Sequence, residues 1–396
     1  MVIGIPTEIM QGERRVAATP ETVAEYRRLG FDVMVEAGAG LGIFASDEAY
    51  SDAGARIVDG AEALYGGADV ILKVKQPMHN AVLDRHEVSL MRPGSVLVAF
   101  IHPATPSNHE LVRILQERNI TSFTLDSVPR TLSHAQPMDA LTSMSTVTGY
   151  RSVLLAATYF PRFIPVIGTA VGATRPASVL VLGTGVVGLQ AIATAKRLGG
   201  IVTALDVRRE AMEQAASLGA KRSDFDVPQE LAVGEGGYSR ALPSEWIEKE
   251  RVHLGPLLEE MDVVIASALV PGEEAPVLIT EEMVRRMKPG SVIVDVSVDQ
   301  GGNCSQTVPG KTVVVGDVTI CGIANIPGGM PVDATWLFAK NILHAVKHLF
   351  PDGPGAAPWD DPISQSMLVT DDGEIRHAGT LKAMRASAGA PTASPA

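Results

Sequence analysis

Cysteine is almost missing from this chain: Cys304 and Cys321 are the only two in 396 residues. Their spacing is neither the C-x-x-C of a zinc site nor the dense pattern of a disulfide scaffold, so a reducing, cytoplasmic setting is expected. Basic tracts are missing too. The 33 lysines and arginines stand against 45 acids, for a net charge of −12, which leaves no counterion-releasing surface and excludes nucleic acid as a partner. Glycine and proline, 38 and 26, are too few and too scattered for collagen or bulk disorder. The opening MVIGIPTEIMQGERR meets charge too soon to form the apolar stretch of a signal peptide. The longest uncharged run, Pro176 to Ala195, is interrupted by Gly183, Gly185 and Gly188 in a strand-to-turn pattern, which marks a buried strand and helix and not a membrane span.

What remains is a chain long enough for two or three domains of about 150 residues. Short β-branched runs alternate with helical periods: VIGIP, ETVAEYRRLG, DVMVEAG, ADVILKVK, SVLVAFIH, NHELVRILQERN and TSFTLD. Continuous apolar runs separated by helices suit a parallel sheet covered on both faces. Residues 138 to 160 have helical periodicity and few breakers, which predicts a long helix joining two lobes across a cleft. The alternation restarts with SVLVLGTG, GLQAIATAKRLG, IVTALDV, DVVIASAL and SVIVDVSV. The fold class expected is α/β with two doubly wound parallel-sheet lobes. One is discontinuous (1–137 and 331–385), the second spans 138–330 and includes the linking helix, and 386–396 reads as a disordered tail.

Residues 179–188, VLVLGTGVVG, place Gly183, Gly185 and Gly188 in G-x-G-x-x-G spacing after a strand and before a helix, with Val187 inside the same turn. Such glycines permit a tight turn, approach of a pyrophosphate and close helix packing. Asp206 ends the next strand 18 residues after Gly188, close to where a carboxylate takes the adenosine ribose hydroxyls. An acid there repels a 2′-phosphate, so NAD is favoured over NADP, with Arg208 and Arg209 following closely.

Hydride transfer also needs a proton carrier and a cation for a carboxylate. Lys75 and His102 end strand-like runs and Arg15 lies beyond the first strand, so all three should emerge at the carboxyl edge of the first sheet. Asp299, in VIVDVSVDQGG, should leave the corresponding edge of the second. A cation pair suits a carboxylate, histidine titrates near neutrality and an opposing acid can hold an ammonium. His344 and His348 have a metal-pair separation, but no third ligand is evident, so no metal is expected. No G-x-S-x-G elbow appears, which disfavours covalent hydrolysis.

The stretches IPTE, ERRVAATP, VEAGAG, the glycine turn, GLQAIATAKRLG, LVPGEEAPVLITEEMV, MKPGSVIVD and GGNC resemble the alanine dehydrogenase and pyridine nucleotide transhydrogenase α-subunit family over nearly the whole chain. The resemblance implies two Rossmann-like lobes, NAD(H) on the second, hydride chemistry in the cleft, and a homo-oligomer. VPRTLSHAQPMDALTSMS resembles the transhydrogenase loop that contacts the nicotinamide end. It implies that role for Arg130, Gln136 and Asp139, with one residue extra between Arg130 and Gln136. GEGGYSR, LFAKN and LVTDDGEIRH point the same way, and Asn325 in IANIP resembles a cofactor-end asparagine. The contexts of Arg15, Lys75, His102 and Asp299 instead resemble alanine dehydrogenase. There the first two bind substrate carboxylate and carbonyl, and the last two serve proton transfers.

Two readings follow. The leading one is an NAD-dependent dehydrogenase that converts a small amino acid to a 2-oxo acid and ammonia. The other is the NAD(H)-binding α subunit of a proton-translocating transhydrogenase, which passes hydride to NADP on a partner and docks on membrane and NADP-binding subunits at the inner face of the membrane. A third reading, a non-catalytic NAD-sensing module, leaves the four polar residues unexplained.

Overall fold

The computed structural model describes residues 1–396 except 235–236, 238, 271–272, 356–357 and 390–396. GEGGYSR and LVPGEEAPVLITEEMV therefore fall partly outside the described residues, as does most of the 386–396 tail. The chain divides into two compact units, Met1–Met144 with Gly328–Ala396, and Ser145–Pro327.

The first unit opens with β1 (Val2–Ile5), α1 (Pro20–Arg28), β2 (Asp32–Glu36) and β3 (Arg56–Val58). It continues with β4 (Val70–Leu72), β5 (Val96–Ala99), α2 (His109–Glu117) and β6 (Thr121–Thr124). α1 starts where Thr19 caps it and Pro20 supplies a preset φ at the first helical position. The long helix α3 covers Ala140–Tyr159, and the division between the units falls inside it, after Met144.

In the second unit follow β7 (Ser178–Leu182), α4 (Val186–Arg197), β8 (Ile201–Leu205) and β9 (Lys221–Arg222). Then come α5 (Ser244–Glu259), β10 (Val263–Ala266), β11 (Val292–Asp295) and the antiparallel pair β12 (Thr312–Val315) and β13 (Val318–Cys321). The chain returns to the first unit through α6 (Pro331–Leu349), β14 (Leu368–Asp371), β15 (Glu374–Ile375) and α7 (Ala378–Gly389). α7 corrects the expected tail at its start, because residues 386–389 are helical.

Strand order in the first sheet is β15-β14-β6-β5-β4-β1-β2-β3, parallel from β3 to β6, with the antiparallel hairpin β14–β15 added at one edge. The second sheet runs β9-β8-β7-β10-β11-β13-β12, parallel apart from its last pair. Both are mixed α/β sheets in which the strand order reverses, between β1 and β4 in the first and between β7 and β10 in the second. Such reversals open a crevice at the carboxyl ends of the strands. Apolar runs without alternation are explained by burial on both faces: in β7, Val179 and Val181 join one core with Ile192 and Ile265, and Leu180 and Leu182 join another with Leu254 and Ile293.

Several strands stop short of the sequence expectation. β4 ends at Leu72 and β5 at Ala99, so Lys75 and His102 each sit three residues past a strand, on the turn that follows it.

Candidate functional site

In the second unit the three glycines occupy different environments. Gly183 has φ +80°, and a Cβ there would lie 2.6 Å from the Ser267 carbonyl oxygen. A Cβ on Gly188 would lie 2.0 Å from the Gly183 carbonyl oxygen, so α4 packs on its own turn as only glycine allows. Around Gly185, by contrast, nothing comes within 4 Å, which leaves open backbone at the N-terminus of α4 where an anion can be bound. Val187 is half-buried in the first turn of that helix.

Asp206 leaves β8 buried and fully engaged. It accepts from the Thr184 backbone N–H (2.7 Å) and hydroxyl (3.2 Å), and from the Arg208 backbone N–H and Nε (2.9 and 3.0 Å). Arg208 Nη2 also donates to it at 2.9 Å. A cavity of about 330 Å³ beside it is lined by Val207, Arg209, Arg222, Ser223 and Phe225. Its size and its place past the end of β8 suit the adenosine end of a dinucleotide.

Across the strand reversal, the loops after β10 and β11 are tied together. Fully buried Asp295 accepts from the backbone N–H groups of Ser297, Asn303 and Cys304 and from the Thr307 hydroxyl (2.7–3.1 Å). The Asn303 amide donates to the carbonyls of Ala268 and Pro276 and accepts from the Ala268 N–H, each at 2.9 Å. These bonds fix the short helical turn Val296–Gln300, on which Asp299 is exposed. Asn325 adopts φ +52°.

The carboxyl edge of the first sheet carries a different chemistry. His102, at φ +49°, places Nδ1 2.6 Å from Asp126 Oδ1 and lies parallel to the Phe100 ring, with 41% of its side chain exposed. Asp126 also accepts from the backbone N–H groups of His102 (2.7 Å) and Ile101 (3.2 Å) and from the Thr124 hydroxyl. Burial pushes its carboxyl up, but the His102 ring and these hydrogen bonds outweigh it, so Asp126 titrates below its ordinary value. A carboxylate on Nδ1 orients the imidazole and leaves Nε2 for proton exchange.

Arg15 is 3% exposed, and its guanidinium is gripped by Glu13 (Nε to Oε1 2.8 Å) and bonded to Met144 Sδ at 3.0 Å. Lys75 is half-buried. The fully buried lysine is Lys73, whose Nζ lies 3.1 Å from Glu87 and 3.4 Å from Glu8. Glu8 accepts from the Val74 and Lys75 backbone N–H groups (2.6 and 3.4 Å) and Glu87 from that of Met78 (2.8 Å), so this ionic cluster pins both ends of the Lys75 turn. Burial raises the Glu8 carboxyl above its ordinary value despite Lys73. Asp139 caps α3 through Thr142 and pairs with Arg130 at 3.2 Å, with Gln136 exposed on the turn between them.

Residues 4–148 match the description "Alanine dehydrogenase/PNT, N-terminal domain" and 152–378 the corresponding C-terminal domain. The chain belongs to this family. It is 44% identical to an NAD(P) transhydrogenase subunit alpha of Rhodospirillum rubrum, over 95% of this chain and 98% of that one. To the alanine dehydrogenase of Mycolicibacterium smegmatis it is 33% identical, over 95% and 94%. The crystal structure of a transhydrogenase from Sinorhizobium meliloti superposes with a TM-score of 0.82 at 38% identity, covering 95% of this chain and all of that one.

Within this alanine dehydrogenase/PNT chain, the structure gathers the three glycines, Val187 and Asp206 in one unit, and Arg15, Lys75, His102, Arg130, Gln136 and Asp139 in the other. His348 bonds Asp361 at 3.0 Å while His344 is exposed, and no cluster of metal-ligating groups occurs among the described residues. Sequence reasoning missed Asp126, although it ends TSFTLD at the strand edge where ligands gather, so the rule that selected His102 applies to it too. Glu13, two residues before Arg15, carried no such signal.

Proposed function

We propose that this chain is the NAD(H)-binding alpha subunit of an NAD(P) transhydrogenase, passing hydride between NADH and NADP held by a partner. The observation that carries this reading is the nearly end-to-end similarity to a subunit of that description, stronger than that to the M. smegmatis alanine dehydrogenase. The glycine turn fits the cofactor: space beside Gly185 at a helix N-terminus is what a pyrophosphate requires, and the Asp206 carboxylate favours NAD over NADP.

Gly183, Gly185, Val187 and Gly188 would hold the pyrophosphate, Asp206 the adenosine ribose, and Arg130, Gln136, Asp139 and Asn325 the nicotinamide end. When bound, the nicotinamide supplies hydride at its C4. The protein's role is to orient that ring and exclude water from it, since no organic substrate is needed. The partners are membrane and NADP-binding subunits together with a second copy of this chain, and the site of action is the inner face of the membrane. No helix among the described residues is long and apolar enough to cross a membrane, so anchoring would fall to the partners.

The His102–Asp126 pair and the buried Arg15 favour a second reading, an amino-acid dehydrogenase. There Arg15 and Lys75 would clamp the carboxylate and carbonyl, His102 would carry protons, and Asp299 would position ammonium or water. One experiment separates the two. The purified chain is assayed with NAD against a panel of amino acids and 2-oxo acids, then mixed with transhydrogenase membrane and NADP-binding subunits and assayed for NADP reduction by NADH. Transfer only in the mixture supports the subunit reading, and NADH formation from an amino acid by the chain alone rejects it.

A further inference from the structure

We propose that α6 is the positioning element for the turns carrying Arg15 and Gln136, acting through the buried side chains of Thr335 and Asn341. The catalytic side of this rests on the subunit reading, in which Gln136 serves the nicotinamide end.

The α6 face turned to the core is apolar, with Phe338, Ala339, Ile342, Ala345 and Val346 all buried. Two polar residues interrupt it, Thr335 at 0% exposure and Asn341 at 8%. Burying such groups costs stability unless they are hydrogen-bonded, so their presence needs a reason. Neither spends its bond on a neighbouring side chain. Thr335 Oγ1 accepts from the Val16 backbone N–H at 3.2 Å, and Asn341 Nδ2 donates to the Pro137 carbonyl at 2.8 Å.

Each backbone group is one residue past a candidate site residue: Val16 follows Arg15, and Pro137 follows Gln136. The two grips are six residues apart on one helix, about 9 Å along a rigid rod, so α6 sets the spacing of the two turns. Asn341 Oδ1 has no hydrogen-bond partner among the described residues. A position needing only volume would be better filled by leucine, and the amide is retained for its single bond to the Gln136 turn.

The test uses the full chain with Asn341→Leu, Thr335→Val and, as rescue, Thr335→Ser, with Asn341→Ala replacing the leucine variant if that does not fold. Hydrogen exchange is expected to quicken at least about tenfold in residues 132–139 for Asn341→Leu and in 13–18 for Thr335→Val, while β1 and β4 keep their protection and Thr335→Ser stays near the unaltered rate. In the complex with membrane and NADP-binding subunits, Asn341→Leu should lower hydride transfer at least about fivefold while NADH affinity changes by less than about threefold. Unchanged exchange overturns the proposal, and so does faster exchange with an unchanged transfer rate. An unaltered chain that transfers no hydride overturns the subunit reading instead, and the exchange measurement alone then decides whether α6 positions the turns.

Discussion

His102 and Asp126, carried by turns past the ends of neighbouring strands, meet with Nδ1 and Oδ1 2.6 Å apart, and the same carboxylate holds the His102 backbone N–H. One acid thus fixes both the left-handed backbone of His102 and the tautomer of its ring. Asp126→Asn keeps the size but loses the charge-assisted bonds. It should cost about 1.5–3 kcal/mol of stability and move the imidazole proton from Nδ1 toward Nε2. Urea unfolding and nitrogen spectra of the histidine rings measure the two effects, and an unchanged tautomer would show that Asp126 does not orient the ring. Because Asp126 titrates below its ordinary value of 3.8, its contribution is present above that pH and fades as pH falls through the lower folded-state value.

The glycine turn predicts a separation of stability from binding. Gly188→Ala places a methyl 2.0 Å from a carbonyl oxygen and should cost about 3 kcal/mol or more. Gly185→Ala meets nothing within 4 Å and has an ordinary φ of −71°, so its melting temperature should stay within about 2 °C of the unaltered chain. The methyl would occupy the space a pyrophosphate needs, and NADH affinity should fall at least about tenfold. Melting curves and fluorescence titration decide it. Undiminished NADH binding by Gly185→Ala would remove the glycine turn from the cofactor site.

The two lysines of LKVK should part company in the same way. Lys73→Met leaves the Glu8 and Glu87 carboxylates buried without their cation, a loss of about 3–5 kcal/mol. Lys75→Met, at a half-buried position, should shift stability by only about 0.5 kcal/mol. Denaturant unfolding of both variants tests this, and equal losses would mean that Lys75 is as structural as its neighbour.

That contrast also marks how far the sequence could be read. Alternating apolar runs revealed both sheets because burial on two faces leaves a signal in each strand, and the glycine spacing carried its own reasons. Strand ends were less legible. ADVILKVK looks apolar to its last residue, yet pairing stops at Leu72, and the choice between Lys73 and Lys75 depends on Glu8 and Glu87, which arrive from other turns. The hairpin β14–β15 joins the first sheet after the whole second unit has intervened, and no local period encodes that return. Arg15 was visible as a cation near a strand, but its pairing with Glu13 and its contact with Met144 are tertiary facts.

Glu250 on α5 supplies a pH dependence with a definite sign. It is 4% exposed, and burial, reinforced by the negative charge of Asp206, pushes its carboxyl up to about 7. Between its ordinary value of 4.5 and that pH, the unfolded chain has released a proton that the folded chain keeps, so rising pH favours unfolding. The full loss is about 3 kcal/mol, complete above pH 7 and absent below 4.5. Glu250→Gln carries no titrating proton and should abolish this component. Urea unfolding of both proteins at pH 5, 6, 7 and 8 isolates it, since every other group is common to the pair. The variant's advantage over the unaltered chain should widen across the series and level off at the top. A constant difference would mean that Glu250 ionises in the folded chain as readily as in the unfolded one, and that Asp206 feels no second negative charge as the pH rises.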